Sequence, residues 1–220
     1  MDIQALWLTL KLAAVTTLLL LCIAIPLSHW LVFGKARWKS VIEAAATLPL
    51  LLPPTVLGFY LLILLGPRTA AGRLLIHLIG HPIAFSFGGL VIGSMIYSLP
   101  FAVQPITTGF STVAPEILDA ATLLGANRLR ILTDLLLPLA HRSIFTAAVL
   151  CFTHTVGEFG VVLMIGGDIP GTTRTLSIAI YDQVQDFRYT QANHTAILLL
   201  GISLLALILV YGRGRQAWRA

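Results

Sequence analysis

Residues 5 to 33 form an apolar run that is long enough to cross a lipid bilayer, which requires about 20 apolar residues in a helix. Lys11 and Pro26 interrupt the run, and it is too long for the apolar core of a signal peptide. Three basic residues follow it at once: Lys35, Arg37 and Lys39. Because cytoplasmic loops are enriched in basic residues, this end of the span is predicted to face the cytoplasm and the N-terminus to lie outside.

Composition argues against a soluble domain. Of the 220 residues, 57% are hydrophobic and only 10% are charged, which leaves too few polar groups to cover a soluble surface. The net charge of +5 would suggest a nucleic-acid partner in a soluble chain, but in a membrane protein it indicates basic cytoplasmic loops. Cys22 and Cys151 lie far apart in apolar runs, so both are predicted to be buried, with no disulfide or metal. We therefore expect an integral membrane protein without a nucleic-acid partner.

Prolines divide the second apolar stretch, residues 41 to 65. Pro53 and Pro54 remove backbone donors and crowd the preceding turn, so a regular helix cannot pass through them. One interpretation is an interfacial helix from Ser40 to about Leu48 and a membrane helix from Thr55 to Leu65. The other is a simple kinked helix that faces lipid.

Residues 66 to 87 predict an external loop with a surface helix, because their apolar stretch is too short to span a membrane. His77 and His81 have the spacing of a metal-binding pair on a helix, but no third ligand is near and no metal site is predicted. Residues 88 to 110 predict the next span, with Gln104 as its notable polar residue.

Residues 139 to 165 predict a span that carries an unusual polar patch, formed by Thr153, His154, Thr155, Gly157, Glu158 and Gly160. In a continuous helix His154 and Glu158 share a face, and ionisable residues at membrane depth commonly pair. The patch is therefore predicted to face a pathway or a subunit interface. A paired structural acid and a proton relay both fit this pattern.

Residues 166 to 194 predict an external loop followed by an amphipathic helix. Gly166–Gly171 is dense in turn formers. Three apolar residues then recur at helical spacing: Leu176, Ile180 and Val184. The last span is predicted from about residue 195 to 211, with cytoplasmic arginines after it, Arg213, Arg215 and Arg219. Nine basic residues then lie inside against four outside, which favours about five spans, with the N-terminus outside and the C-terminus inside.

Residues 111 to 138 form the most polar stretch between the predicted spans, and they predict two short helices in the cytoplasm. Pro115 suits the first turn of the first helix, and its N-cap is predicted at Ser111 or Thr112. Two acidic residues suit the helix dipole there, Glu116 and Asp119. An apolar face is formed by Ile117, Ala121 and Leu124. Gly125 allows the chain to turn or a partner to approach closely.

The spacing in this region resembles the signature of ABC-importer permeases, which is carried here by Asp119, Ala120, Ala121, Gly125, Leu135, Leu137 and Pro138. Asp119 stands where that family usually has Glu, and Leu135 where it usually has Ile. The resemblance implies an all-α, type I ABC importer permease fold in which residues 1 to 220 form one transmembrane domain. It also implies a coupling helix seated in a groove of a separate ATPase subunit. ATP and Mg²⁺ would bind that subunit, and this chain would hold no cofactor and no catalytic residue.

A narrower resemblance, to molybdate-importer permeases, is carried by Gly157-Glu158-Phe159-Gly160, by Asp168-Ile169-Pro170-Gly171 and by the following Thr172-Thr173-Arg174-Thr175-Leu176. Asp168 stands where that family usually has Asn. Sulfate permeases share much of the pattern, so sulfate or thiosulfate and tungstate remain alternative substrates.

This resemblance implies a homodimer in the bacterial inner membrane, with two ATPase subunits and an external oxyanion-binding protein, that works by alternating access. Asp168, Pro170, Gly171, Thr172 and Arg174 would lie in the external loop. Within it, Thr172, Thr173 and Arg174 would either donate hydrogen bonds to the oxyanion or belong to a turn that contacts the binding protein. Glu158 is not expected to be an oxyanion ligand, because a fixed carboxylate repels a dianion; His154 or an external arginine is its predicted partner.

A transporter of another class remains as the competing hypothesis, namely a proton-coupled secondary transporter that uses His154 and Glu158. Such proteins commonly contain repeated halves, and no internal repeat is evident here. The signature of the ABC-importer permeases would also have no purpose in it.

Overall fold

The structure is a computed structural model that describes residues 2 to 214, with side chains as far as Val210. Within that range all regular secondary structure is helical, with no strand, and turns and loops separate the helices. The helices are α1 (Ile3–Phe33), α2 (Lys39–Leu51), α3 (Pro54–Leu65), α4 (Ala70–Ile79), α5 (Phe87–Ser111), α6 (Pro115–Leu123), α7 (Arg128–Leu139), α8 (His141–Val156), α9 (Gly160–Gly166), α10 (Leu176–Gln185) and α11 (Tyr189–Gly214). Of the arginines predicted to follow the last span, Arg215 and Arg219 lie outside the described residues, as does the side chain of Arg213.

Three helices are long and apolar enough to cross a membrane, namely α1, α5 and α11. Two bent pairs add up to two more spans: α2 with α3, bent by 115°, and α7 with α8, bent by 74°. The prediction of about five spans is therefore confirmed. The predicted side of each terminus stays a prediction.

The centre of the fold is the packing of α1 against α5 and α8. Its buried cluster includes Leu20, Ala24, Ile106, Phe110, Ala147 and Cys151. Cys151 is buried as predicted, but Cys22 is exposed, so that prediction was wrong. The reason is helical geometry: Cys22 is two residues from both Leu20 and Ala24, about 200° around α1, and it faces away from the cluster.

The predicted break in the second apolar stretch is confirmed. Pro54 occupies the first turn of α3, where its missing N–H costs nothing, and the sharp bend between α2 and α3 falls at Leu52 and Pro53. The predicted surface helix is present as α4, which ends at Ile79 because Gly80 adopts a left-handed conformation with φ +85°. His81 therefore lies beyond the helix, and the helical pairing of His77 with His81 does not exist.

Three expectations about helices need correction. The span predicted over 139 to 165 is divided at Gly157–Phe159 into α8 and α9. The N-cap of α6 is Ala114, whereas Thr112 is the C-cap of α5 and its hydroxyl donates to the Gly109 carbonyl at 2.9 Å. The packed face of α10 is formed by Leu176, Ile178 and Ala179, while Val184 is exposed. The first and third corrections depend on packing against neighbouring helices, which spacing alone does not reveal.

Candidate functional site

Helix α6 lies at the edge of the bundle, which it contacts through Leu118, and presents its other apolar side chains to the surroundings. None of its residues is buried, and Leu123 and Leu124 at its end are each 89% exposed. Asp119 and Ala120, the first residues of the signature, are exposed as well. Exposed large apolar side chains beside a carboxylate are typical of a surface that binds another protein. The structure thus places the predicted coupling helix where a partner can reach it.

Gly125 ends α6 in a Schellman motif, in which two backbone bonds close the helix end. The Ala126 N–H donates to the Ala121 carbonyl and the Gly125 N–H to the Thr122 carbonyl, both at 3.0 Å. Gly125 has φ +83°, and a Cβ there would meet no atom within 4 Å. The glycine is therefore required by the backbone conformation, and it leaves open space for a partner.

The end of the signature anchors this region to the bundle. Helix α7 contains a π-helical segment, Ile131–Leu136, directly before Leu137 and Pro138. Leu136 is fully buried in the central cluster, whereas Leu137 is only partly buried against it. Leu136 is thus the anchoring side chain. Sequence reasoning missed it, because the signature fixes Leu137 and Pro138 and leaves the position before them open.

The predicted polar patch, apart from the buried Thr155, lines a cleft of about 490 Å³ at the junction of α8 and α9. Its walls are formed by residues of α3, α5, α8 and α9, among them Thr55, Tyr97, Thr153, His154, Glu158 and Gly160. The patch predicted from 153 to 160 is therefore assembled with two further helices. Tyr97 and Thr55 are lining residues that the sequence did not single out.

His154 belongs to a network with α5. Its Nδ1 lies 2.9 Å from the Ser98 hydroxyl, which also lies 3.1 Å from the Thr155 hydroxyl. Its ring stacks on Phe101 with centroids 4.2 Å apart, and the Tyr97 ring lies at 4.7 Å. These contacts fix the imidazole between α5 and α8, so His154 joins the two helices that flank α6 and α7 in sequence.

Glu158 lies in the helix break and is 4% exposed. Among the residues that the structure describes, neither carboxylate oxygen has a hydrogen-bond partner. The predicted pairing with His154 is wrong for the single chain, because α8 ends at Val156 and the two residues no longer share a helical face. The Glu158 backbone carbonyl accepts a hydrogen bond of 2.5 Å from the Ser177 hydroxyl, which ties the break to α10.

The two glycines that flank this break have different roles. A Cβ on Gly160 would lie 2.7 Å from the Pro54 Cβ, so the glycine permits α9 to approach α3 closely. A Cβ on Gly157 would come no nearer than 3.8 Å to any atom, and its backbone conformation is open to any residue. Close packing therefore requires Gly160 but not Gly157.

The predicted external loop is held by an ion-pair cluster. Gly167 and Gly171 adopt positive φ, and the Arg174 guanidinium donates two hydrogen bonds to the Asp168 carboxylate. A nitrogen of Arg174 also lies 3.4 Å from the Asp182 carboxylate, a residue that the sequence analysis did not identify. The hydrogen bonds with Arg174 lower the pKa of Asp168, and the same bonds raise the pKa of Arg174.

This cluster bears on the predicted oxyanion donors. Arg174 is already shared between two carboxylates. The Thr173 hydroxyl is buried, donates to the Gly166 carbonyl at 2.7 Å and accepts from the Ile169 N–H at 3.1 Å. Thr172 and Pro170 are exposed on the loop. The loop is thus held by hydrogen bonds and ion pairs among its own residues and with Asp182, and these contacts occupy its arginine.

Comparisons with known proteins agree with this architecture. The family model described as "Binding-protein-dependent transport system inner membrane component" matches residues 21–216. The molybdenum transport system permease protein ModB of Azotobacter vinelandii is 45% identical over 214 residues, which cover 97% of this chain and 95% of that protein. The putative molybdenum transport system permease protein YvgM of Bacillus subtilis is 32% identical over 203 residues, with 92% and 89% covered.

Among solved structures, a chain of a bacterial alginate ABC transporter, in complex with its pentasaccharide-bound periplasmic protein, superposes with a TM-score of 0.77. The alignment covers 98% of this chain and 78% of that chain at 18% identity, so it shows a shared fold and nothing about the substrate. The fold is thus that of an ABC transporter permease, and the chain belongs to the family of binding-protein-dependent transport system inner membrane components.

Proposed function

We propose that this chain is the membrane-spanning subunit of an ATP-driven molybdate importer. The observation that supports molybdate as the substrate is the 45% identity to a molybdenum transport permease over nearly the whole of both chains. The importer would contain two copies of this chain, two ATPase subunits and an external oxyanion-binding protein. It would lie in the bacterial inner membrane, with the N-terminus of this chain outside and its C-terminus inside.

The position of α6 supports a mechanism by which ATPase closure reaches the membrane. Helix α6 follows α5 after only three residues, Thr112–Ala114, and α7 is anchored by buried Leu136. A displacement of α6 is therefore passed to α5 on one side and to α7 and α8 on the other. Tyr97 of α5 and His154 of α8 line the same cleft, so this displacement changes the width of the cleft.

The cleft supports a passage for an oxyanion beside α8 and α9. The hydroxyl groups of Thr55 and Tyr97 belong to its lining residues and are neutral hydrogen-bond donors. Glu158 is recessed, because its side chain is almost completely buried. In our proposal the anion passes the hydroxyl-lined wall, Glu158 is not its ligand, and the binding protein supplies the selectivity.

Uptake of labelled molybdate tests the proposal, in cells that lack their own high-affinity importer and express this chain with its ATPase and binding protein. Gly125→Asp is expected to abolish uptake, because it places a charged side chain in the open space at the end of α6; Asp tolerates positive φ better than most residues. The control is Gly201→Ala, another open position, on α11. Both variants must reach the membrane in equal amounts.

The outcomes separate the alternatives. Uptake that resists excess sulfate and disappears with Gly125→Asp supports the molybdate importer. Uptake abolished by modest sulfate moves the assignment to sulfate or thiosulfate. Tungstate that competes at concentrations well below those of unlabelled molybdate moves it to tungstate. Uptake that persists without the ATPase, survives Gly125→Asp and is lost with Glu158→Gln indicates a proton-coupled secondary transporter.

A further inference from the structure

A second pocket, of about 510 Å³, lies where the C-terminal end of α1 meets α6 and α7. Its lining comprises His29, Trp30, Phe33, Gly34, Lys35 and Ala36 from α1 and the following turn, with Leu118, Arg128 and Ile131 from the predicted coupling region, residues 111 to 138. The pocket is separate from the cleft at the α8–α9 break. It bridges the end of a membrane span and the helices that follow α5.

The charge of this pocket is positive and uncompensated. Lys35 and Arg128 both line it, and none of its nine described lining residues carries a carboxylate. Neither side chain forms an ion pair or a hydrogen bond with another residue in the described part of the chain. Lys39 differs, because its Nζ donates to the Val32 carbonyl at 3.0 Å and so satisfies the end of α1. The two free cations are thus available to an anionic ligand.

Apart from His29, the rest of the lining carries no polar side chain. Trp30, Phe33, Leu118 and Ile131 are only partly buried within the chain, although they pack against the central cluster. Trp38 is 70% exposed close by, and exposed tryptophan beside basic residues is typical of the membrane–water interface. The pocket therefore offers cations and apolar surface together at the level of lipid headgroups. A small, fully hydrated anion would make no use of the apolar part.

We propose that this pocket binds an anionic phospholipid, with its phosphate between Lys35 and Arg128 and its glycerol and upper acyl chain against Trp30 and Phe33. Basic pockets between helices at a membrane surface are suited to such headgroups. The bound lipid connects α1 to α6 and α7, so it braces the coupling region against the bundle. This inference does not depend on the identity of the transported anion.

Native mass spectrometry of the complete complex, released from nanodiscs of phosphatidylcholine with a minor fraction of phosphatidylglycerol, tests the proposal. The Lys35→Gln/Arg128→Gln double variant is expected to bind phosphatidylglycerol about 30-fold more weakly than the parent, since each lost cation contributes about 1 kcal/mol. The matched control is Arg37→Gln/Arg130→Gln, which removes the same charge from neighbouring positions outside the pocket. The control is expected to retain phosphatidylglycerol.

Three results would overturn the proposal. Equal loss in both double variants would mean that only the general surface charge attracts lipid. Displacement of the lipid by inorganic phosphate would identify a site for a free anion. Retention by the isolated permease but not by the complex with its ATPase would mean that the ATPase occupies the pocket. Molybdate uptake, measured separately, can fail without affecting any of these results.

Discussion

The close contact between α9 and α3 predicts different outcomes for two Gly→Ala substitutions only three residues apart. In Gly160→Ala the new Cβ would lie 2.7 Å from the Pro54 Cβ. Carbon atoms pack favourably at about 3.5–4.0 Å, so α3 must withdraw by roughly 0.8 Å or more. Overpacking of this kind costs about 1–3 kcal/mol. In Gly157→Ala the nearest atom is 3.8 Å away and φ is −88°, so we expect no loss of stability.

The measurement is the melting temperature of the purified complex in detergent. It is determined by heating samples and then measuring the intact fraction by fluorescence-detected size-exclusion chromatography. For a chain of this size each kcal/mol lowers the melting temperature by about 2–4 °C. Gly160→Ala is therefore expected to melt about 2–12 °C below the parent, and Gly157→Ala within about 1 °C of it or slightly above. Gly160→Ser is expected to behave as Gly160→Ala does, because it adds the same Cβ.

Equal losses at both positions would refute this reasoning, because they would show that the helix break itself requires glycine. An unchanged melting temperature for Gly160→Ala would also contradict it, because it would show that α3 moves away from α9 without a loss of stability. The two variants also test function: a loss of uptake in Gly160→Ala without a change in melting would assign the contact to the conformational cycle.

Three further predictions concern the anchor and the external loop. Leu136→Ala is expected to lower stability by about 2–5 kcal/mol and Leu137→Ala by clearly less, since only Leu136 is fully buried; the same melting assay decides. Arg174→Gln is expected to lower the stability of the folded protein by about 1 kcal/mol, a larger loss than for Asp168→Asn, because it leaves the carboxylates of Asp168 and Asp182 facing each other. Comparison of the melting curves of the two variants tests this. Burial and the neighbouring Asp168 raise the pKa of Asp182 from 3.8 to about 6. The stabilisation that comes from protonated Asp182 is therefore complete below pH 3.8 and is lost as the pH rises through about 6. Asp182→Asn, which resembles the protonated acid, should therefore stabilise the protein above pH 6, and melting curves at several pH values should show the gain shrinking toward pH 4.

The helices and their breaks were largely predictable from the sequence, because prolines and long apolar runs act locally. Pro53 and Pro54 predicted the break between α2 and α3, and Pro115 predicted the start of α6. The spacing around Gly125 predicted a turn, and the structure shows why a glycine is needed there. In each case the physical cause lies within a few residues of the effect.

What sequence reasoning missed depends on contacts between distant helices. In α5 the sequence analysis singled out Gln104, which is exposed, and overlooked Ser98, which is fully buried against His154. Serine in an apolar span gives a weak signal, because its hydroxyl can also be satisfied within its own helix. The break at Glu158 was missed for a similar reason: apolar residues continue on both sides of it. Only the packing of α9 against α3 and α5 reveals it.

The attachment of α6 at both ends has a thermodynamic consequence. Because α5 leads into it and α7 leads out of it, the coupling region is a strap fixed at two points and not a free tether. In the proposed mechanism, any ligand that favours one width of the cleft must then favour one position of the strap. In the proposed complex, reciprocity of binding free energies would require the effect to run both ways. A loaded cleft would alter the affinity of the ATPase for the strap by the same factor by which the ATPase alters the affinity of the cleft for its ligand.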